Sequence, residues 1–314
     1  MILVAGGTGT LGTRLVSLLA ERGEQVRVLT RDRSRAAHLD ARAAVAVGDT
    51  GNPESLRRAA EGARTVISAI HGFAGTPDTS PANVDRDGNR SLIGAALAAG
   101  ANHMILISVR DASPGHPMAL MRMKYAAEQE LIASGLAWTI IRPSAYIETW
   151  CEVLGRPLLD KGKGMVFGRG RNPVNWVSAW DVARFADLAV TDPALRGCVI
   201  EVGGPDNLTM SEFVRAFQHE TGAGAKIRRI PRPLLRAGSV LARPVSPATA
   251  RQIQAALIMD TRPQALDAMA VRRRYPAIPV TSLADVLRRD FADPAPHLSQ
   301  SNPTRRGNGD RPPG

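Results

Sequence analysis

The residues best placed to do chemistry stand at the start of the chain, in Ala5-Gly6-Gly7-Thr8-Gly9-Thr10-Leu11-Gly12. Glycines at this spacing leave main-chain N–H groups uncovered, and such groups bind oxyanions where a turn opens a helix. A glycine pattern alone carries little information. This one directly follows the apolar run Ile2–Ala5 and opens the amphipathic stretch Leu11–Arg22. In that setting Gly6 makes the tight turn, Gly9 admits a diphosphate, and Gly12 lets the helix pack on the strand. The segment that holds the diphosphate then includes Thr8, Thr10 and Leu11.

The second apolar run, Gln25–Thr30, ends in Arg31-Asp32-Arg33. A site selective for a free ribose 2′-hydroxyl places a carboxylate at this strand tip. Arg31 stands there instead, and a guanidinium forms paired, charge-assisted hydrogen bonds with a 2′-phosphate. The expected cofactor is NADP(H). NAD(H) stays open, because a shift of one residue would aim Asp32 at the ribose. Asp49, after the third strand, reads either as an acceptor for the adenine amino group or as a helix-capping carboxylate.

Holding these groups requires a parallel sheet. Short apolar runs at Ile2–Ala5, Gln25–Thr30, Ala44–Val47, Thr65–Ala69, His103–Ser108 and Trp138–Arg142 alternate with helical patterns at Leu11–Arg22, Pro53–Ala60, Arg86–Ala99 and Ala119–Ser134. Continuous apolar strands separated by helices predict an α/β fold, a doubly wound parallel sheet of the Rossmann type. A Gly-, Pro- and Lys-rich stretch at 150–175 reads as a loop-rich excursion, followed by a helix, Val177–Val190, and a strand, Cys198–Val202. The division expected is a dinucleotide-binding domain over 1–205, a small C-terminal helical lobe for substrate over 206–293, and a disordered tail over 294–314.

Composition narrows the class of function. Of the 314 residues, 44% are hydrophobic and 22% charged, as in ordinary globular proteins. No apolar run is long enough to span a bilayer, and no basic segment precedes the first strand, which argues for a cytoplasmic protein. Cys151 and Cys198 are too far apart for a metal motif, and the six histidines form no cluster, so no metal is expected. The formal charge of +11 is concentrated between Lys226 and Arg274, where eleven Lys or Arg residues face two Asp. That segment reads as the solvated face of amphipathic helices, or as a surface for an anionic membrane or acidic partner. Nucleic acid is disfavoured because aromatic stacking platforms are nearly absent there. The oligomeric state is not legible.

Taken in order, several short segments resemble the atypical short-chain dehydrogenase/reductase superfamily, in its NmrA-like, NAD(P)H-binding branch. They are the Gly6–Gly12 turn, Arg31-Asp32, Gly48-Asp49, Val84–Asn89, Ile107-Ser108, Lys124 with Glu128, Trp138–Pro143, Trp180–Ala183 and Glu201–Pro205. The resemblance runs from Met1 to about Phe291. It implies that Lys124 binds the nicotinamide ribose, that Ser108 lies near the substrate oxygen, and that Pro143 belongs to the segment meeting the nicotinamide amide. The plain alternative for Lys124 is an exposed pair with Glu128.

Catalytic members of the superfamily carry a tyrosine four residues before the lysine, and here that residue is Leu120. Asp85 replaces a frequent asparagine. Tyr146, beyond the sixth strand, is the candidate substitute proton donor, because open α/β sheets bind ligands past their strand C-termini. His71 reads as an ordinary loop histidine. Two functions follow: an NADP(H)-dependent oxidoreductase of a small carbonyl, enone or quinone, or a non-catalytic NADP(H) sensor or scaffold. Sugar-nucleotide epimerisation fits less well, since those enzymes resemble the members that keep the tyrosine.

Overall fold

Every residue of the apolar runs at 2–5, 65–68 and 103–107 is buried, as a sheet covered on both faces demands. A computed structural model describes residues 1–224 and 226–291, and the predicted tail at 294–314 lies outside them. The chain begins with β1 (Ile2–Ala5), β2 (Val26–Thr30), β3 (Ala44–Val47), β4 (Thr65–Ser68), β5 (His103–Ile107) and β6 (Trp138–Pro143), linked through α1 (Thr10–Glu21), α2 (Pro53–Ala60), α3 (Asn89–Ala98) and α4 (Ala119–Ala133). It continues through β7 (Ala145–Tyr146), α5 (Ile147–Trp150), α6 (Arg156–Lys161), β8 (Lys163–Phe167) and β9 (Pro173–Val177) to α7 (Ala179–Thr191) and β10 (Cys198–Val202). Then come β11 (Asn207–Thr209), α8 (Met210–Thr221), β12 (Lys226–Ile230), α9 (Arg232–Leu241), α10 (Pro247–Thr261), α11 (Met269–Arg274) and α12 (Leu283–Asp290).

The central sheet has the order β3-β2-β1-β4-β5-β6-β10, all parallel. Ala5 lies level with both Leu29 and Ser68. The winding reverses between β1 and β4, so the glycine turn opens directly into the crevice where such sheets bind ligands. One apolar core packs α1 and α7 on one face; a second packs α2, α3 and α4 on the other.

Two expectations need correction. The predicted loop at 150–175 contains α6, β8 and part of β9, preceded by a π-helical stretch at Cys151–Gly155. Its apparent breakers are structural. Pro157 occupies the first turn of α6, Gly162 closes it in the left-handed region, and Gly155 makes room for the Phe217 ring. This segment shares a third apolar core with α8 and α12, in which Leu154, Trp176, Phe213 and Val286 are buried. The other correction concerns the helix expected over Arg86–Ala99: it begins as a π-helix at Ala82–Gly88 before α3 takes over. That wide turn is fastened by the buried Asn89, whose amide donates to the Asp85 carbonyl, while the Ser68 hydroxyl donates to Asn89 Oδ1.

The C-terminal elements are tied to the sheet by a buried ionic knot. Asp181, on α7, accepts from Arg272 at 2.7 Å and from both the main chain and the hydroxyl of Thr281. Arg272 also donates to the Gly203 carbonyl. The Trp180–Ala183 and Glu201–Pro205 segments therefore hold the architecture together.

Acid sensitivity is expected to arise at His103. It is buried at the edge of β5 and hydrogen-bonds Thr139 Oγ1 at 2.9 Å; that hydroxyl donates to the Leu195 carbonyl, so the ring nitrogen is the donor. Burial, and next the charge of Arg196, push its pKa down to about 4. Between pH ~6.5 and ~4 the unfolded chain binds a proton that the folded chain refuses, so stability present above that window is lost as pH falls through it. Urea unfolding should register a loss of about 2–3 kcal/mol from this group across the window. A His103→Gln variant, which keeps a donor, should show a shallower decline.

Candidate functional site

The turn after β1 is built for close approach. Gly6 has φ +83°, and a Cβ there would lie 2.6 Å from the Ala69 carbonyl oxygen. At Gly12 a Cβ would fall 2.1 Å from the Gly6 carbonyl oxygen. Gly9 differs: it has extended backbone at the N-cap of α1, and a Cβ would meet nothing nearer than 3.5 Å. No side chain caps α1, and no acidic residue occupies its first turn. The first amides of the helix and its positive end are therefore left for a ligand, and a diphosphate suits them.

Gly6, Gly9, Thr10, Leu11 and Gly12 form one end of a cavity of about 270 Å³, which Lys124 and Pro143 also line. Its lining is largely apolar and includes Phe73, Met118, Met121, Ile258 and Met259. Strand C-termini position the polar side: Ala69-Ile70-His71 follow β4, Ser108 follows β5, and Pro143-Ser144 close β6. Residues of α10 cover the apolar side. Thr8 is half-buried outside this cavity wall, and Arg31 and Asp49 stand exposed at the edge of the sheet.

Lys124 is buried, and its surroundings overturn the surface reading. Its Nζ donates to the carbonyls of Ile70 (2.8 Å) and Ile107 (2.9 Å) and lies 3.2 Å from Asp85 Oδ1. The Asp85 carboxylate, fully buried, also accepts from the Gly72 amide at 2.8 Å. The ammonium is thus held at the mouths of β4 and β5 by a carboxylate that the π-turn delivers. Glu128 is engaged elsewhere. It takes a bidentate pair from Arg142 (3.0 and 2.5 Å) and a short hydrogen bond from the Ser108 hydroxyl. Ser108 lies in the cavity wall, with its hydroxyl committed to that carboxylate.

Tyr146 lines the cavity with its ring, but its hydroxyl is sealed from solvent and makes no hydrogen bond among the described residues. Burial, and next the nearby Glu148, raise its pKa well above the ordinary phenol range. Glu148 is itself fixed, accepting from the Ser178 hydroxyl and the Ala179 amide at the start of α7. Transfer of a proton from this hydroxyl to a molecule in the cavity would require the side chain to move.

His71, read from sequence as an ordinary loop residue, presents its side chain to the cavity beside Asp85 and Lys124. His71 is exposed, so solvent moderates the lowering of its pKa that desolvation brings, which Asp85 opposes and Lys124 reinforces. Leu120, where catalytic members of the superfamily carry a tyrosine, lines the same cavity.

At the other end of the site, Arg31 Nε lies 3.9 Å from Asp49 Oδ2, both exposed, a pair that solvent weakens. Asp49 accepts from the Gly51 amide, and the cap of α2 is Asn52. Asp32 accepts from the amide and hydroxyl of Ser34, which lowers its pKa and commits the carboxylate to its own turn. Among the described residues, no group of three or more His, Cys, Asp or Glu could hold a metal ion.

Comparison with known proteins identifies the family and the fold. Residues 6–193 match the family described as NAD(P)H-binding. An NAD(P)H azoreductase from Xenophilus azovorans is 32% identical over 232 residues, covering 73% of this chain and 76% of that protein. A photosystem II assembly factor from Trieres chinensis is 29% identical over 236 residues, 75% of this chain and 73% of that one. The NADPH complex of an Escherichia coli NADPH-dependent quinone oxidoreductase shares the fold, with a TM-score of 0.74 at 19% identity over 93% of this chain and 100% of that one.

Proposed function

The chain belongs to the NAD(P)H-binding family, and on that premise we propose that it is an NADP(H)-dependent reductase of a small, largely apolar acceptor. The acceptor class is a carbonyl, enone, quinone or azo compound. The observation that carries this reading is the continuity of the glycine turn with the methionine-rich cavity under α10.

Bound NADPH supplies a hydride. The reduction also needs one proton, delivered to the heteroatom that collects the electron pair. His71 lines the cavity, and a neutral imidazole there would be an N–H donor to a developing anion. Lys124, with Asp85 behind it, orients the ribose; Ser108, pinned by Glu128, fixes the end of β5; the Tyr146 ring packs against the acceptor. Arg31 binds the 2′-phosphate in place of its solvent-exposed contact with Asp49, while Asp32 spends its acceptors on Ser34.

A second reading, a dinucleotide sensor or scaffold, is favoured by the ammonium of Lys124, which already donates to two main-chain carbonyls and pairs with the Asp85 carboxylate. NADPH oxidation against quinones, aldehydes and azo dyes separates the two. Turnover with at least one class is expected, with NADPH preferred over NADH by roughly 10- to 100-fold and the preference collapsing in Arg31→Ala. His71→Phe should slow the reaction about 100-fold, while Tyr146→Phe runs near the parent rate. Tight NADPH binding with no turnover across the panel would select the sensor.

A further inference from the structure

None of the basic side chains of the C-terminal segment lines the cavity, and they are arranged in a way that suits one kind of partner. Between Glu220 and Asp260 the chain carries seven Lys or Arg residues and no acidic one. Arg232 is tied to Asp260, and Arg251 donates to the Phe73 and Gly75 carbonyls. Arg236 and Arg243 stand exposed, as do Arg228 and Arg229 on the strand leading into α9.

Helix α9 is packed on α10 on one side, with Leu235 buried and Gly238 close to Ile253. Its outer side is strongly apolar. Leu234 is 65% exposed, Leu241 74% and, just past the helix, Val245 86%. Leu234 and Leu241, seven residues apart on α9, share one face, Val240 stands beside it at 57% exposure, and Val245 follows in the turn after the helix. Large aliphatic side chains this open are not what a solvated face requires.

We propose that α9 and its flanks dock on an anionic lipid surface, with Leu234, Leu241 and Val245 entering the interface and Arg236 and Arg243 meeting lipid phosphates and carboxylates. An aliphatic stripe bordered by arginines without carboxylates is the pattern of a helix lying in a bilayer interface. Among the described residues no helix is long and apolar enough to cross a membrane, so the attachment is peripheral. A symmetric self-association would press the same arginines against one another. Nucleic acid would find no aromatic side chain from Lys226 to Asp260 on which to stack a base.

Co-sedimentation of the full chain with vesicles tests this. The chain should pellet with phosphatidylcholine vesicles containing about 30% phosphatidylserine and not with phosphatidylcholine alone, and about 0.5 M salt should release it. Arg236→Ala with Arg243→Ala should weaken binding roughly 30-fold. Leu234→Asp with Leu241→Asp should abolish it, whereas Arg57→Ala with Arg58→Ala, on α2, should leave it unchanged. Both leucines are exposed, so thermal melts and NADPH affinity should match the parent. The proposal is overturned by failure to pellet with either vesicle, or by leucine variants that bind as the parent does. Concentration-dependent dimerisation lost with the leucines, or duplex DNA binding, each without vesicle binding, overturns it equally.

Discussion

A Gly12→Ala variant is expected to lose NADPH affinity by roughly 100- to 10,000-fold, the equivalent of two or more charge-assisted hydrogen bonds at about 1.5–3 kcal/mol each. The added methyl would stand 2.1 Å from the Gly6 carbonyl oxygen and 2.6 Å from Gly7 Cα, and both obstacles are main chain. Neither can rotate away, so α1 must withdraw from the turn and take its first amides with it. Overpacking of this kind also costs about 1–3 kcal/mol of stability, which a urea titration would record. Gly9→Ala provides the contrast. Its Cβ meets only the Gly6 carbonyl oxygen at 3.5 Å, and extended backbone accepts any residue. That variant should fold as well as the parent and still bind NADPH poorly, because its methyl occupies the space a diphosphate needs. Calorimetry showing undiminished affinity in Gly9→Ala would place the coenzyme somewhere other than this turn.

The second large effect is expected at Lys124. Lys124→Met keeps the length of the side chain but leaves Asp85 as a fully buried carboxylate without its cation, together with two carbonyls that lose a donor. Removing one partner of a buried pair costs about 3–5 kcal/mol. Asp85→Asn introduced alongside it removes the stranded charge and should recover most of that loss. The double variant therefore separates two roles of one residue. If Lys124 orients the coenzyme, the double variant is stable yet has a raised KM for NADPH and slow turnover. A stable double variant with parental kinetics would make Lys124 a purely structural residue.

The Lys124–Asp85 pair also shows where sequence reading reaches its end. Lys124 is assignable from its place in a helix after the fifth strand, and Asp85 was visible as a departure from the family's usual asparagine. Their contact was not visible. It depends on a π-helical turn at 82–88, and hydrogen-bond period in a helix leaves no trace in a hydrophobic pattern. The apparent partner four residues along, Glu128, belongs to Arg142 and Ser108 because the sheet brings β5 and β6 beneath α4. Local spacing proposes pairs; the crossover connections choose among them.

What the amino-acid order determined by itself was the doubly wound sheet, the glycine turn at its reversal point and Arg31 at the strand tip, since alternating periodicity and the steric needs of a diphosphate turn are local properties of the chain. Tertiary structure alone decided that 151–161 is helical, that His71 faces the cavity, that the Tyr146 hydroxyl is sealed, and that α10 closes over the site. Each of these depends on residues brought together from distant parts of the chain, and such contacts are set by how layers pack rather than by the neighbours a residue has in sequence.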